Sequence, residues 1–144
     1  MGPPFDIIQV FIEYAPEVLE MTNRYGWLSI HVACQFGASL EIIQALVNSY
    51  PESVKVTNIH GLLPLHHACR NNASLEVVEA LLTIYPESAN ITGNYGCLPL
   101  HFACRNNACL EVIQALVNSY PESVKVTNNN GSLPLHIACR NNAC

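Results

Sequence analysis

His66 and Cys69 stand three apart in the stretch "LPLHHACRNN", residues 63–72. On a helix that spacing puts an imidazole and a thiol on one face. There they could ligate a metal or act as a nucleophile with its base. Either chemistry needs more than a pair. A Cys-His nucleophile needs an orienting third group and an oxyanion hole, and no Asp or Asn stands in a privileged place. A structural zinc site needs four ligands. Nor is the pair unique: it returns in "LPLHFACRNN" at 98–107, in "LPLHIACRNN" at 133–142 and, more loosely, in "LSIHVACQFG" at 28–37, each copy offset by 35 residues. A catalytic reading would therefore demand four equivalent active sites. Pairs on neighbouring packed helices lie roughly 8–10 Å apart, too far to share one ion. The columns His31, His66, His101, His136 and Cys34, Cys69, Cys104, Cys139 are accordingly read as architecture, the cysteines as small buried hydrophobes. No catalytic residue, metal ligand, cofactor or disulfide is assigned.

The elements that position these columns repeat with them. "LEIIQALVNSYPESVKVTN" at 40–58 returns as "LEVIQALVNSYPESVKVTN" at 110–128, with looser copies at 75–93 and 5–23. Full units at 23–57, 58–92 and 93–127 are thus flanked by half units at 5–22 and 128–144, as in a segment of a longer array. Each unit reads as two helices and a turn. The first helix begins at Pro64, Pro99 or Pro134, a residue suited to the first helical position. It ends at Gly37, Asn72, Asn107 or Asn142, residue types that tolerate the left-handed angles of a helix C-cap. Ser39 and Ser74 are placed as N-caps of the second helix, with Cys109 and Cys144 filling that column less well. That helix is apolar except for one stripe, Glu76, Glu79 and Thr83, with equivalents at Glu41, Gln44, Asn48, at Glu111, Gln114, Asn118 and at Asp6, Gln9, Glu13. A helix with so narrow a wet face is covered by its neighbours, so one unit cannot fold alone. Pro51, Pro86 and Pro121 stop it. "VTNIHG" and "VTNNNG" read as hairpin-like tips, and the two half units predict ends that open first.

Composition narrows the class. Half of the 144 residues are hydrophobic and 12% are charged, with no apolar run long enough to span a membrane. The acidic start, "MGPPFDIIQVFIEYAPE", is unlike a secretory or transit peptide. Seven cysteines without an export signal predict free thiols in an intracellular, cytoplasmic protein. A net charge of −5 argues against a nucleic-acid partner.

A turn, then Gly-x-x-Pro-Leu-His-x-Ala, a short helix and a longer amphipathic helix resemble the ankyrin repeat, and the likeness recurs in register along almost the whole chain. It implies an all-α solenoid of stacked helix-turn-helix units, without catalytic activity. It also implies histidines that hydrogen-bond backbone and tie unit to unit. The chain departs from the family in length, 35 residues against about 33, with additions between the helices and around "YPES". It departs again where Leu63, Leu98 and Leu133 replace a capping Thr and where Ser29 replaces proline. Pentatricopeptide repeats share the length and bind RNA. They lack the Gly-x-x-Pro-Leu-His turn, and an RNA groove should be basic.

The resemblance further implies a protein-binding scaffold whose concave face is made of tips and first helices. Its contact positions fall on Arg24, Tyr25, Trp27, Gln35 and Phe36, then on Ile59, His60, Leu62, Arg70 and Asn71. The next two units supply Asn94, Tyr95, Cys97, Arg105 and Asn106, and Asn129, Asn130, Ser132, Arg140 and Asn141. The two residues before each aligned glycine and the one after it form a different set in every unit, whereas the rest is nearly interchangeable. The arginine column could equally serve the helix macrodipole. Because interface energy concentrates in Trp, Tyr and Arg, Arg24, Tyr25, Trp27 and Phe36 predict a grip at the N-terminal end. Trp27 could instead cover the defect left by the missing proline. The alternative functions are a structural segment serving other domains and an RNA-binding helical repeat.

Overall fold

The structure, a computed structural model, describes residues 4–141; Asn142 and Cys144 of the capping columns lie outside them. Among the described residues there are eight α-helices and no strand. They are α1 (Pro4–Tyr14), α2 (Ser29–Gln35), α3 (Leu40–Ser49), α4 (Pro64–Arg70), α5 (Leu75–Ile84), α6 (Pro99–Arg105), α7 (Leu110–Ser119) and α8 (Pro134–Asn141). The short helices stack in one row, α2 on α4 on α6 on α8, and the long ones in another, α1 on α3 on α5 on α7. The two rows share one core.

Local chemistry sets these boundaries. Asn72 and Asn107 take φ of 52° and 54° and Gly37 takes 69°, the left-handed geometry that ends each short helix. Tyr50, Tyr85 and Tyr120 close the long helices ahead of the prolines. The "YPES" segments are not plain turns. Pro51–Lys55, Pro86–Asn90 and Pro121–Lys125 each wind into a 3₁₀ helix. A proline start fixes φ where no hydrogen-bond donor is needed. Ser39 and Ser74 do occupy N-cap positions, but neither makes a side-chain cap bond, and Cys109 adopts the same backbone angles. The N-cap of this column is therefore a conformation rather than a hydroxyl bond.

Packing follows from size. Ala68 and Ala103 are fully buried, so the short helices close on each other, while Leu65, Val78 and Leu81 fill the space between rows. Full burial of one such large aliphatic side chain contributes about 1.5–3 kcal/mol. Cover thins toward the ends. Ile7, Val10, Phe11 and Tyr14 of α1 are exposed. The cysteine column grades from buried Cys34 and Cys69 through half-buried Cys104 to exposed Cys139. The expectation of four buried thiols therefore needs correcting at Cys104 and Cys139. Within the described residues α6 has only α8 beyond it, and nothing packs beyond α8.

The histidines do two jobs at once. Nδ1 of His31, His66 and His101 accepts the backbone N–H of Leu28, Leu63 and Leu98, each at 3.0 Å. A ring at the third helical position thus does half the work of a capping box, and leucine has no side-chain acceptor for the other half. Because Nδ1 accepts, the proton sits on Nε2. Nε2 donates to the carbonyls of Val56 and Ile91 at 2.9 Å and of Ser132 at 3.2 Å, at the base of the following tip. All three rings are fully buried. Burial lowers the basicity of each, in His66 to about 4, against the opposing pull of the carbonyls. A protonated ring would also set Nδ1–H against a backbone N–H. His136 keeps only the Leu133 bond among these and is exposed.

A base whose folded pKa lies below its unfolded value stabilises the fold while neutral. That stabilisation is complete above the unfolded value of about 6.5 and is lost as pH falls toward the folded value. For His66 the shift to about 4 corresponds to a contribution on the order of 3 kcal/mol. The thermal midpoint followed by circular dichroism should be level from about pH 8 to 7 and fall steeply between about 6.5 and 4. A midpoint unchanged across that window would mean that the rings are not buried in their neutral form.

Candidate functional site

Each tip is closed at its base by backbone. Asn23, Asn58, Gly93 and Asn128 donate their N–H to the carbonyls of Trp27, Leu62, Cys97 and Ser132, and a glycine follows at positive φ. A side chain that sequence reasoning passed over organises three of them. Asn58 Oδ1 accepts from the N–H of His60 and Leu62, with Asn23 and Asn128 acting alike. The aligned asparagines were there to be read as Asx turns. Gly93 breaks the column, and a Cβ there would press on the side chain of Leu62. Without its asparagine the third tip tightens into a 3₁₀ turn, Asn94–Gly96, and Tyr95 is driven to φ 65°. Successive tips are joined by main-chain bonds: the N–H of Ile59, Asn94 and Asn129 donates to the carbonyl of Tyr25, His60 and Tyr95.

Tips and short helices enclose a cleft of about 650 Å³ over the central units. His60, Asn94, Tyr95 and Asn130 line it from the tips, and Arg70, Arg105 and Asn106 from the ends of α4 and α6. Leu62 and Cys97 also line it and are buried, so they form its floor rather than a projecting contact. Phe102 and Asn128, absent from the expected contacts, complete it. Arg105 lies over the Phe102 ring at 5.8 Å, a placement that steadies a guanidinium. Arg140, Asn71, Asn129 and Ile59 are exposed outside the cleft, with Ser132 half-buried. Asn141 donates its amide to the carbonyls of Cys104 and Arg105, and Asn106 to that of Phe102. The Asn141 amide ties α8 to α6, whereas that of Asn106 caps the end of its own helix.

The N-terminal residues do not gather. Arg24 lies over the ring of Tyr25 at 4.9 Å. Phe36, exposed, lines a separate hollow with Phe5, Val32 and Ile42. Trp27 turns inward, half-buried, its ring edge-on to His67 at 4.6 Å. His67 is fully buried, in contact distance of Gln35 Oε1 (2.8 Å from Nδ1) and Asn58 Nδ2 (3.1 Å from Nε2). Those partners require Nδ1 to donate and Nε2 to accept. Burial first, then the neighbouring His31, lowers its pKa to about 3. Gln35 is thereby a support of this network.

Cys34, Cys69 and Cys104 offer little reactivity. Burial pushes Cys34 up to about 12 and Cys69 and Cys104 upward as well, and a thiolate is the nucleophile. Among the described residues no three His, Cys, Asp or Glu side chains cluster as metal ligands do. No helix there is long and apolar enough to cross a membrane.

The model of the family described as ankyrin repeats (3 copies) matches residues 3–92 and 65–144. The chain belongs to the ankyrin repeat family. A comparison with curated proteins finds no match. Ankyrin repeats are in general modules for binding other proteins and are typically not catalytic.

Trp27 and Tyr95 separate support from surface. Trp27→Ala removes an aromatic pair and half-buried area and should cost about 2 kcal/mol in urea unfolding. Tyr95→Ala, at an exposed tip, should cost less than about 0.5 kcal/mol. Equal losses would show that the division drawn here is wrong.

Proposed function

We propose that the chain is a non-catalytic scaffold that binds a partner protein through the concave face of its tips and short helices. One observation carries the reading. The cleft is lined by His60 and Leu62, Asn94, Tyr95 and Cys97, and Asn130, from the residues beside each aligned glycine, a set that is different in every otherwise near-identical unit. The exposed members of that set, His60, Asn94, Tyr95 and Asn130, are not part of the buried core. The exposed contacts are Arg24, Tyr25, Ile59, His60, Arg70, Asn71, Asn94, Tyr95, Arg105, Asn129, Asn130 and Arg140, with Phe36 on its separate hollow. The cleft moves the expected centre of binding from the N-terminal unit to the central ones. Free thiols suit a cytoplasmic setting.

A photo-crosslinking residue placed at Tyr95 or Asn130 should give discrete protein adducts in cells. The same residue at Glu79 or Glu111, on the opposite face, should give none of them. Adducts that form equally well from the opposite face would overturn the concave-face reading.

A further inference from the structure

Charge is segregated in this chain. All eleven acidic residues lie on α1, the long helices or the 3₁₀ turns; none falls in 21–39, 56–74, 91–109 or 126–144, the tips and short helices. The basic residues divide by type. Both lysines sit in 3₁₀ turns beside glutamates, Lys55 to Glu52 at 3.1 Å and Lys125 to Glu122 at 3.4 Å. All four arginines sit in the tips and short helices. A protein of net charge −5 thus presents a face that carries only positive formal charge.

Arg70 and Arg105 close α4 and α6, and Arg140 occupies the same register on α8. All three are exposed, and among the described residues none is in an ion pair. Guanidinium is the cation whose fork matches a carboxylate in two parallel hydrogen bonds. Packed helices lie about 8–10 Å apart. An extended chain advances about 3.1–3.4 Å per residue, so three residues span that interval. In a polyproline-type segment every third side chain also returns to the same face.

We propose that the partner docks an extended acidic segment on this face, with a carboxylate at every third residue, one for each of Arg70, Arg105 and Arg140. This rests on the concave-face reading above and adds the chemistry of the partner. Side chains between the carboxylates enter the cleft beside Tyr95 and His60, over the apolar floor of Leu62 and Cys97. A polynucleotide is disfavoured: the face offers one line of cations without lysine, and the flanking surface is acidic.

The test is fluorescence anisotropy on the full chain with four tandem copies of Glu-Pro-Ser. The comparison probes are the Gln-Pro-Ser analogue, a peptide of the same composition with its glutamates in one block, and oligouridine. The Glu-Pro-Ser probe should bind best, and more weakly as salt rises. Arg70→Gln with Arg105→Gln should weaken it about tenfold, whereas Lys55→Gln with Lys125→Gln should not. Gln35 already stands at this register in the first unit, and circular dichroism checks that the variant folds. Glu-Pro-Ser binding no better than its glutamine analogue, or binding indifferent to the arginines, overturns the acidic partner. The concave-face reading survives that result if the Tyr95 crosslinks persist. Preferential binding of the block peptide overturns the three-residue register, and tighter binding of oligouridine overturns the acidic partner and counts against a protein partner as well.

Discussion

A helix of seven residues such as α4 is too short to hold itself in water, and a tip closed by a few local hydrogen bonds is no better. In this array both are held by a buried, neutral imidazole. His66 takes the first free N–H of its helix with one nitrogen and reaches the base of the next tip with the other. Remove the ring and a buried donor and a buried acceptor lose their partner together, a loss of about 1–3 kcal/mol for each group. The rings tie tips and short helices to one another, while the short helices also pack on the long helices behind them.

The same arrangement explains why the sequence could be read so far. A column of identical residues is legible when one physical job recurs. Leucine at the cap position, histidine three residues on and glycine in the tip each recur for one reason. Left-handed Asn72 and Asn107 were legible for the same reason. What could not be read depended on contacts between columns. Nothing in the sequence says that Leu62 fills the space a Cβ at position 93 would need, and so nothing announces the strained Tyr95. At the register of His67 the other units carry Val32, Phe102 and Ile137, and only the stack shows the imidazole buried between Trp27, Gln35 and Asn58. Trp27 and Phe36 share a unit but leave it in different directions. The winding of the "YPES" segments was likewise hidden, since proline announces the end of one helix and not the start of another.

Separation of duties runs through the molecule. Residues that hold the stack are apolar or neutral and recur; charge is left to the surface and is sorted by face. The long helices and 3₁₀ turns carry every carboxylate, and the short helices end in guanidinium groups. An arginine at a helix C-terminus is also favoured by the macrodipole, so the ladder is compatible with a stable stack even before a partner arrives. Stability and recognition are therefore not in conflict on this face, and the tips are left free to vary.

The histidine and cysteine spacing that suggests chemistry has its answer in the protonation of the rings. Long-range ¹H–¹⁵N correlation of the imidazoles reads the tautomer directly. His31, His66 and His101 should each show a proton on Nε2 and an unprotonated Nδ1 at neutral pH. His67 should show the reverse, with its proton on Nδ1. A ring of the His31, His66, His101 column that was charged at neutral pH, or that carried its proton on Nδ1, would contradict the bridge on which this architecture rests.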